Sequence, residues 1–172
     1  MARKDKRTRL PDTLQDVTGR LAHGSVTARA ALGIFWPDGA ELPLFQADPN
    51  RLEQAIINLL LNARDAIAEK CEDADCPLAA RRISLRTCGR RRTVLLEVAD
   101  TGVGIAPEVL NRLFEPFFTT KPVGKGTGLG LSTSYGIVQE DGGAIHVRTR
   151  PGQGAWFVLT SPRCTPAVKR EE

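Results

Sequence analysis

Three polar side chains, Asn58, Asn62 and Asp65, recur at spacings of four and three inside an otherwise apolar stretch. That spacing places them on one face of a helix, one above another. Amide and carboxylate oxygens gathered on a buried face suit a hard cation such as Mg²⁺, which keeps some of its waters and leans on phosphate oxygens. The plain alternative is a pair of solvent-facing asparagines. The flanking Ile57, Leu59, Leu60 and Leu61 argue instead for a helix that is mostly buried, with its polar stripe facing a cleft. A lone carboxylate, Asp100, ends the apolar run Val94–Val98 and faces a glycine turn, Gly102-Val103-Gly104. Further on, Gly124, Gly126, Gly128 and Gly130 precede the apolar Leu131 and Tyr135–Val138. A glycine run that opens into a helix lets backbone N–H groups approach a ligand, and the helix dipole then favours an anion such as phosphate.

Two common phosphate motifs do not fit. A P-loop needs Gly-Lys-Ser/Thr, and here Lys125 is followed by Gly126. A dinucleotide fingerprint needs a third glycine where this chain has Leu131. Glycine turns alone are ordinary loop chemistry. Their weight here comes from the acidic and amide residues around them.

These residues need elements to hold them. Asp48-Pro49 is a helix start, with Asp as cap and Pro in the first turn. Leu52, Ile56, Leu59, Leu60, Ala63 and Ile67 then form an apolar stripe, predicting a helix over about 49–70. Ile83–Thr87 and Thr93–Ala99 alternate and read as a hairpin. Pro107–Phe114 and Thr127–Glu140 read as helices around an aperiodic segment, Glu115–Lys125. Ala144–Arg150 and Ala155–Thr160 are the last strands, joined by Pro151-Gly152-Gln153-Gly154. Before all of these come a helix from Pro11, with the stripe Leu14, Val17, Leu21 and Val26, and short strands at Ala30–Phe35 and Leu42–Ala47. The order implies an α+β two-layer sandwich: a mixed sheet of about five strands, covered on one face by about three helices. Residues 1–10 read as a disordered basic tail, 11–162 as one domain and 163–172 as a loose C-terminal tail.

Composition sets limits. The chain has 172 residues, enough for one domain with a sizeable core. Its net charge of +4 collects in Arg3–Arg9 and Arg90–Arg92, with no aromatic residues interleaved to stack on bases. A solvated tail and a solvated turn are the reading, with no nucleic-acid partner. No apolar run approaches a membrane span, and the basic N-terminus lacks the apolar segment of a secretory signal. No membrane contact and a cytoplasmic location are therefore expected. Cys71, Cys76, Cys88 and Cys164 make no Cys-x-x-Cys pair and read as free thiols.

Three features now stand in fixed order: the Asn58–Asn62–Asp65 helix, DTGVGI at 100–105 and GKGTGLGLS at 124–132. With DPNRLEQAIINLLLNARDA at 48–66 and FEPFFTTK at 114–121, they resemble the ATP-binding catalytic domain of sensor histidine kinases, of the nitrogen-regulation type. That superfamily also holds DNA gyrase, mismatch-repair ATPases and heat-shock chaperone ATPases, and its fold is the Bergerat type. The resemblance implies ATP and Mg²⁺ as cofactors. It implies that Asp100 accepts from the adenine 6-amino group, that Gly102 and Gly104 line the base pocket and that Ile105 is an apolar wall. Asn62 would ligate Mg²⁺, with Asn58 near it and Asp65 on the ribose–phosphate side. Residues 107–125 would be a lid. Lys121 and Lys125 would contact phosphates, joined by N–H groups of Gly126, Gly128 and Gly130. Thr120, Thr127, Leu129 and Leu131 fall in the same nucleotide-binding set, and Phe114 and Phe118 would order the lid. Asn58, Asn62 and Lys121 carry the implied catalysis.

The implied reaction is transfer of the ATP γ-phosphoryl group to a histidine on a dimerisation domain, with a response regulator downstream. Hydrolytic relatives usually carry a glutamate base where this chain has Asn58, and an amide cannot take a proton. His23, in RLAHGSV, does not resemble the acceptor motif and reads as a helix-surface residue; His146 reads as a strand residue. The expectation is a catalytic domain without its phosphoacceptor, either truncated or acting in trans. Ala155-Trp156 stands where the family often has Ser or Thr. Two other readings are a non-catalytic nucleotide-binding or docking module and a serine kinase of the anti-sigma type.

Overall fold

A computed structural model of the chain describes residues 7–8, 31–35, 45–71, 76–77, 80–122 and 124–163. The helix expected from Pro11, and His23 with it, lies outside the described residues. In chain order the elements are β1 (Arg7–Thr8), β2 (Ala31–Phe35), β3 (Phe45–Gln46), α1 (Pro49–Lys70), β4 (Arg82–Gly89), β5 (Thr93–Asp100), α2 (Pro107–Leu110), α3 (Gly130–Glu140), β6 (Ala144–Thr149) and β7 (Ala155–Pro162).

The long helix α1 starts where its residues dictate. The Asp48 carboxylate accepts from the Asn50 N–H at 3.1 Å, and Pro49 occupies the first turn, where its missing N–H costs nothing. Its apolar stripe, Leu52 to Ile67, is buried against the sheet. Burying each large aliphatic chain contributes about 1.5–3 kcal/mol, which outweighs the middling helix propensity of the asparagines. On the sheet side, Ile83, Leu85 and Thr87 of β4 and Val94, Leu96, Val98 and Asp100 of β5 all point into this core. Because side chains alternate along a strand, the run that buries Val94 to Val98 also turns Asp100 inward.

The main sheet has five strands in the order β2-β4-β5-β7-β6. β2 runs parallel to β4 and every other pair is antiparallel, so the sheet is mixed. The helices pack on one face, α1 beside α3, giving two layers. Asp100 lies opposite Ile83, at the end of the β4–β5 ladder.

Some boundaries differ from expectation. The tail at Arg7–Thr8 is a strand, paired antiparallel with Phe45–Gln46. A ladder is made of backbone groups, so a polar tail can pair without an apolar pattern. The second of the outer helices begins at Gly130 rather than Thr127, because Gly128 holds φ +67°, outside the helical region. The helix from Pro107 ends at Leu110 and continues as turns to Phe114. Cys71 and Cys76 are bonded to each other rather than free. Cys71 caps the end of α1, and the two Cα atoms lie 5.3 Å apart, within disulfide reach. Cys88 is an exposed free thiol. Among the described residues no helix is long and apolar enough to cross a membrane.

Candidate functional site

The polar stripe of α1 faces away from the sheet, toward the segment between α2 and α3. Its three members do different things. Asn58 turns to α3: its Nδ2 donates to the Gly130 carbonyl at 3.1 Å and to Ser134 Oγ at 3.3 Å. Ser134 Oγ in turn shares its single proton between the Gly130 carbonyl at 2.9 Å and the Ala55 carbonyl at 3.4 Å, so a buried polar knot locks α3 on α1. Asn62 and Asp65 turn to the intervening segment. Lys121 Nζ donates to Asp65 Oδ2 at 2.7 Å and to Asn62 Oδ1 at 3.3 Å. Arg64 holds the other oxygen of Asp65 through Nε at 2.7 Å and Nη2 at 2.6 Å. Partial burial pushes the Asp65 carboxyl up, but the hydrogen bonds and charges of Lys121 and Arg64 outweigh it and hold the group below the usual carboxylate range.

The other end of the site is built from two turns, after β5 and between β6 and β7, packed on the end of α1. Asp100 Oδ1 accepts the Gly102 N–H at 2.8 Å. Burial drives the Asp100 carboxyl above its usual range, against the opposing pull of the Gly102 and Ala155 N–H groups and the charge of Lys70. The turn after Asp100 is stitched to α1 by the Val103 N–H on the Ala66 carbonyl at 3.2 Å. It is stitched to the β6–β7 hairpin by the Gly152 N–H on the Val103 carbonyl at 2.6 Å and the Ile105 N–H on Thr149 Oγ1 at 2.9 Å. Gly104 has φ +74°, and a Cβ there would run into the Arg150 carbonyl. Lys70, the last residue of α1, closes the assembly: its Nζ donates to the Thr101 and Gly152 carbonyls, both at 2.8 Å. Sequence reasoning missed Lys70, Thr149 and Gly154. The visible signal, for Lys70 alone, was a basic residue in the last helical turn, although its ammonium reaches carbonyls outside the helix.

Between these ends lies the 113–130 segment. Leu113 enters the core, and the Phe114 ring meets Tyr135 of α3 with centroids 4.9 Å apart. Arg112 stacks over Phe118 at 4.4 Å and pairs with Glu115 at 3.0 Å. Phe117 has φ +66° and is 74% exposed, and its N–H donates to the Gly128 carbonyl at 2.9 Å. Gly128 packs directly on the Phe117 backbone, where a Cβ could not fit. The aromatic segment and the glycine turn are therefore joined backbone to backbone.

Asn62 and Asp100 line one cleft of about 1250 Å³. Asp65, Gly104, Ile105, Thr120, Lys121, Lys125 and Leu131 line it too, with Arg64, Arg81 and Ala155, which sequence reasoning had not placed there. A smaller cavity of about 320 Å³ adjoins it and shares Asn62, Asp65 and Lys121. Asn58, Phe118, Gly126, Thr127, Gly128 and Gly130 belong to that second cavity. Gly102, Phe114 and Leu129 line neither. Gly102 packs under Ala66 and Phe114 against Tyr135, both as supports. The donor set suits a hard divalent cation: Asn62 Oδ1 and Asp65 Oδ2 are oxygens, face the cleft and already accept from one cation, the Lys121 ammonium.

The chain is similar to several known proteins. A family model described as "Histidine kinase-, DNA gyrase B-, and HSP90-like ATPase" matches residues 47–165. The sensor kinase CckA of Brucella abortus is 44% identical over 130 residues, 73% of this chain and 14% of that protein. The two-component sensor PprA of Pseudomonas aeruginosa is 43% identical over 139 residues, 80% of this chain and 14% of that protein. The sensor histidine kinase ZraS of Escherichia coli is 40% identical over 121 residues, 70% of this chain and 23% of that protein. The chain thus spans less than a quarter of these curated relatives. Among solved structures, the nucleotide-free catalytic domain of histidine kinase ThkA superposes with a TM-score of 0.72 at 28% identity, covering 91% of this chain and 96% of that one.

Proposed function

The chain belongs to the histidine kinase-, DNA gyrase B- and HSP90-like ATPase family, and from that premise we propose that it is the ATP-binding catalytic domain of a two-component sensor histidine kinase. It moves the γ-phosphoryl group of ATP to a histidine on a dimerisation domain, from which a response regulator receives it. The observation that carries this reading is the single cleft shared by Asn62, Lys121 and Asp100.

Phosphoryl transfer needs positioning and charge neutralisation more than covalent help from the protein. Asp100 accepts from the 6-amino group of adenine. Guanine offers a carbonyl oxygen at that place, so two acceptors would face each other and guanine is rejected. Gly104 and Ile105 flank the base. Lys121, Lys125 and the N–H groups of Gly126, Gly128 and Gly130 receive the phosphates at the start of α3, where the helix dipole also favours anions. Mg²⁺ would be held by Asn62 Oδ1 and, bound there, neutralises phosphate charge. Asn58 has no proton-accepting nitrogen or carboxylate, and its amide is spent on α3. Asp65 stays tied to the Arg64 guanidinium through its other oxygen, which depresses its basicity. With no base beside the phosphates to activate water, transfer to an external histidine is favoured over hydrolysis.

Calorimetric titration with a non-hydrolysable ATP analogue and Mg²⁺ should show binding, with the GTP analogue weaker by about tenfold or more. γ-Labelled ATP with a histidine-bearing dimerisation domain of a nitrogen-regulation kinase should then give acid-labile label on that domain and none on this chain. Absence of analogue binding sinks the reading. Binding without transfer to several such domains would make the chain a docking module instead.

A further inference from the structure

Lys121 stands in an unusual position for a phosphate ligand. Its ammonium sits on Asp65 Oδ2 at 2.7 Å and on Asn62 Oδ1 at 3.3 Å. Asn62 Oδ1 is the oxygen assigned above to the divalent cation. The ammonium and a metal held there would thus draw on the same amide oxygen.

The surroundings make this more than one surface ion pair. The 113–130 segment is fixed at both ends: Leu113 and Phe114 pack on the core and α3, and Gly130 begins α3 and accepts from Asn58. Its own hydrogen bonds, Phe117 to Gly128, Lys121 to Thr119 and Lys125 to Pro122, are internal. Among the described residues, the Lys121 ammonium makes the only hydrogen bonds between residues 115–128 and α1. The acceptor is itself held in place. Arg64 takes Asp65 Oδ1, which turns Oδ2 toward Lys121. Both partners remain about one-third exposed, at 33% and 31%, so water can compete and the tie can be released.

We propose that Asp65 is a positioning residue that parks Lys121 across Asn62 when nucleotide is absent, tethering the lid to α1 until a metal-bound nucleotide draws the ammonium onto its phosphates. This gives Asp65 a role through Lys121 rather than on the ribose. It also makes Lys121 and the divalent cation competitors for one amide oxygen. The release step rests on the function proposed above; the tether itself does not.

Hydrogen exchange of the ligand-free protein, followed by mass spectrometry, tests the tether. Asp65→Asn and Lys121→Met should each speed exchange in residues 116–125 by about two- to fivefold, the size expected for a partly exposed ion pair. Asp65→Glu, which keeps the charge, should restore most of the protection. Exchange in β5 and in the second half of α3 should not change. An unchanged lid in Asp65→Asn, or acceleration spread evenly over β5 and α3, would overturn the proposal. With an ATP analogue and Mg²⁺ added, wild type and Asp65→Asn should converge in lid protection; a persisting difference would show that Lys121 never leaves Asp65 and would overturn the release step. If no analogue binds at all, the functional reading fails, while the ligand-free comparison still decides the tether.

Discussion

The two ends of the cleft are built on opposite principles. At the Asp100 end, two turns and α1 interlock through backbone: Gly102 packs under Ala66, Gly104 against the Arg150 carbonyl and Gly154 against the Asp100 carbonyl. Lys70 then clasps both turns. At the Lys121 end, a segment with an exposed Phe117 meets α1 through one flexible ammonium. Backbone interlocking leaves a few tenths of an ångström of play, whereas a lysine can swing on four torsions. The first end is suited to reading a rigid planar group, the second to closing on a flexible charged one.

The contrast can be broken first at its stiff end. Gly104→Ala forces a side chain into a left-handed φ and onto a carbonyl, and should cost about 3 kcal/mol in urea unfolding. A loss under about 1 kcal/mol would mean the turns give more than their packing implies. Asp100→Ala should weaken binding of an ATP analogue by about 100-fold, the loss of a charged acceptor in a buried site, while unfolding changes far less. Equal affinity in that variant would move the base elsewhere in the cleft.

A pH series sharpens the same point. Burial raises the Asp100 carboxyl in the folded chain, so the folded state holds that proton more tightly than the unfolded one. Its contribution to stability is fully present below the unfolded pKa and is lost as pH rises through the folded value. Ligand affinity has the opposite sign, because the 6-amino group needs an ionised acceptor. Lowering pH from neutral should weaken the analogue already above the ordinary carboxylate range, by up to about tenfold per pH unit. Asp100→Asn should flatten both trends. At the loose end the effects are smaller. Arg112→Ala removes an exposed pair with Glu115 and the stack on Phe118 and should cost less than about 1 kcal/mol. Adenosine alone should bind that variant as it binds wild type, since the base end is untouched.

What the sequence made legible was local. The spacing of Leu52 to Ile67, the Asp48-Pro49 start and the alternation around Val94 to Val98 act within one element, so α1 and the β4–β5 hairpin were readable from pattern. Asn62 and Asp100 were readable because a polar residue inside an apolar run needs a reason. The strand order β2-β4-β5-β7-β6 was not, since it depends on pairings between distant segments. Nor was the direction of Asn58: spacing put it on one face with Asn62, but a carbonyl and a hydroxyl on α3 turned it aside. The tie of Lys121 to Asp65 and the clasp of Lys70 each join residues that no periodicity links. The Cys71–Cys76 bond depends on the path that the chain takes after α1, which composition does not specify.

One rigid rod connects the two ends. From Asn58 to Lys70 the helix advances about 18 Å at 1.5 Å per residue, with both termini of that span engaged. A single inserted residue between Asn62 and Ala66 would rotate everything beyond it by about 100° and swing Ala66 and Lys70 off the turns that they grip. The loop from 115 to 128 obeys no such rule, because its ends are anchored separately and its middle is held by a side chain. Length changes should therefore be survivable there and ruinous in α1, and swapping loops of different size onto a fixed helix is the practical route to retuning this cleft.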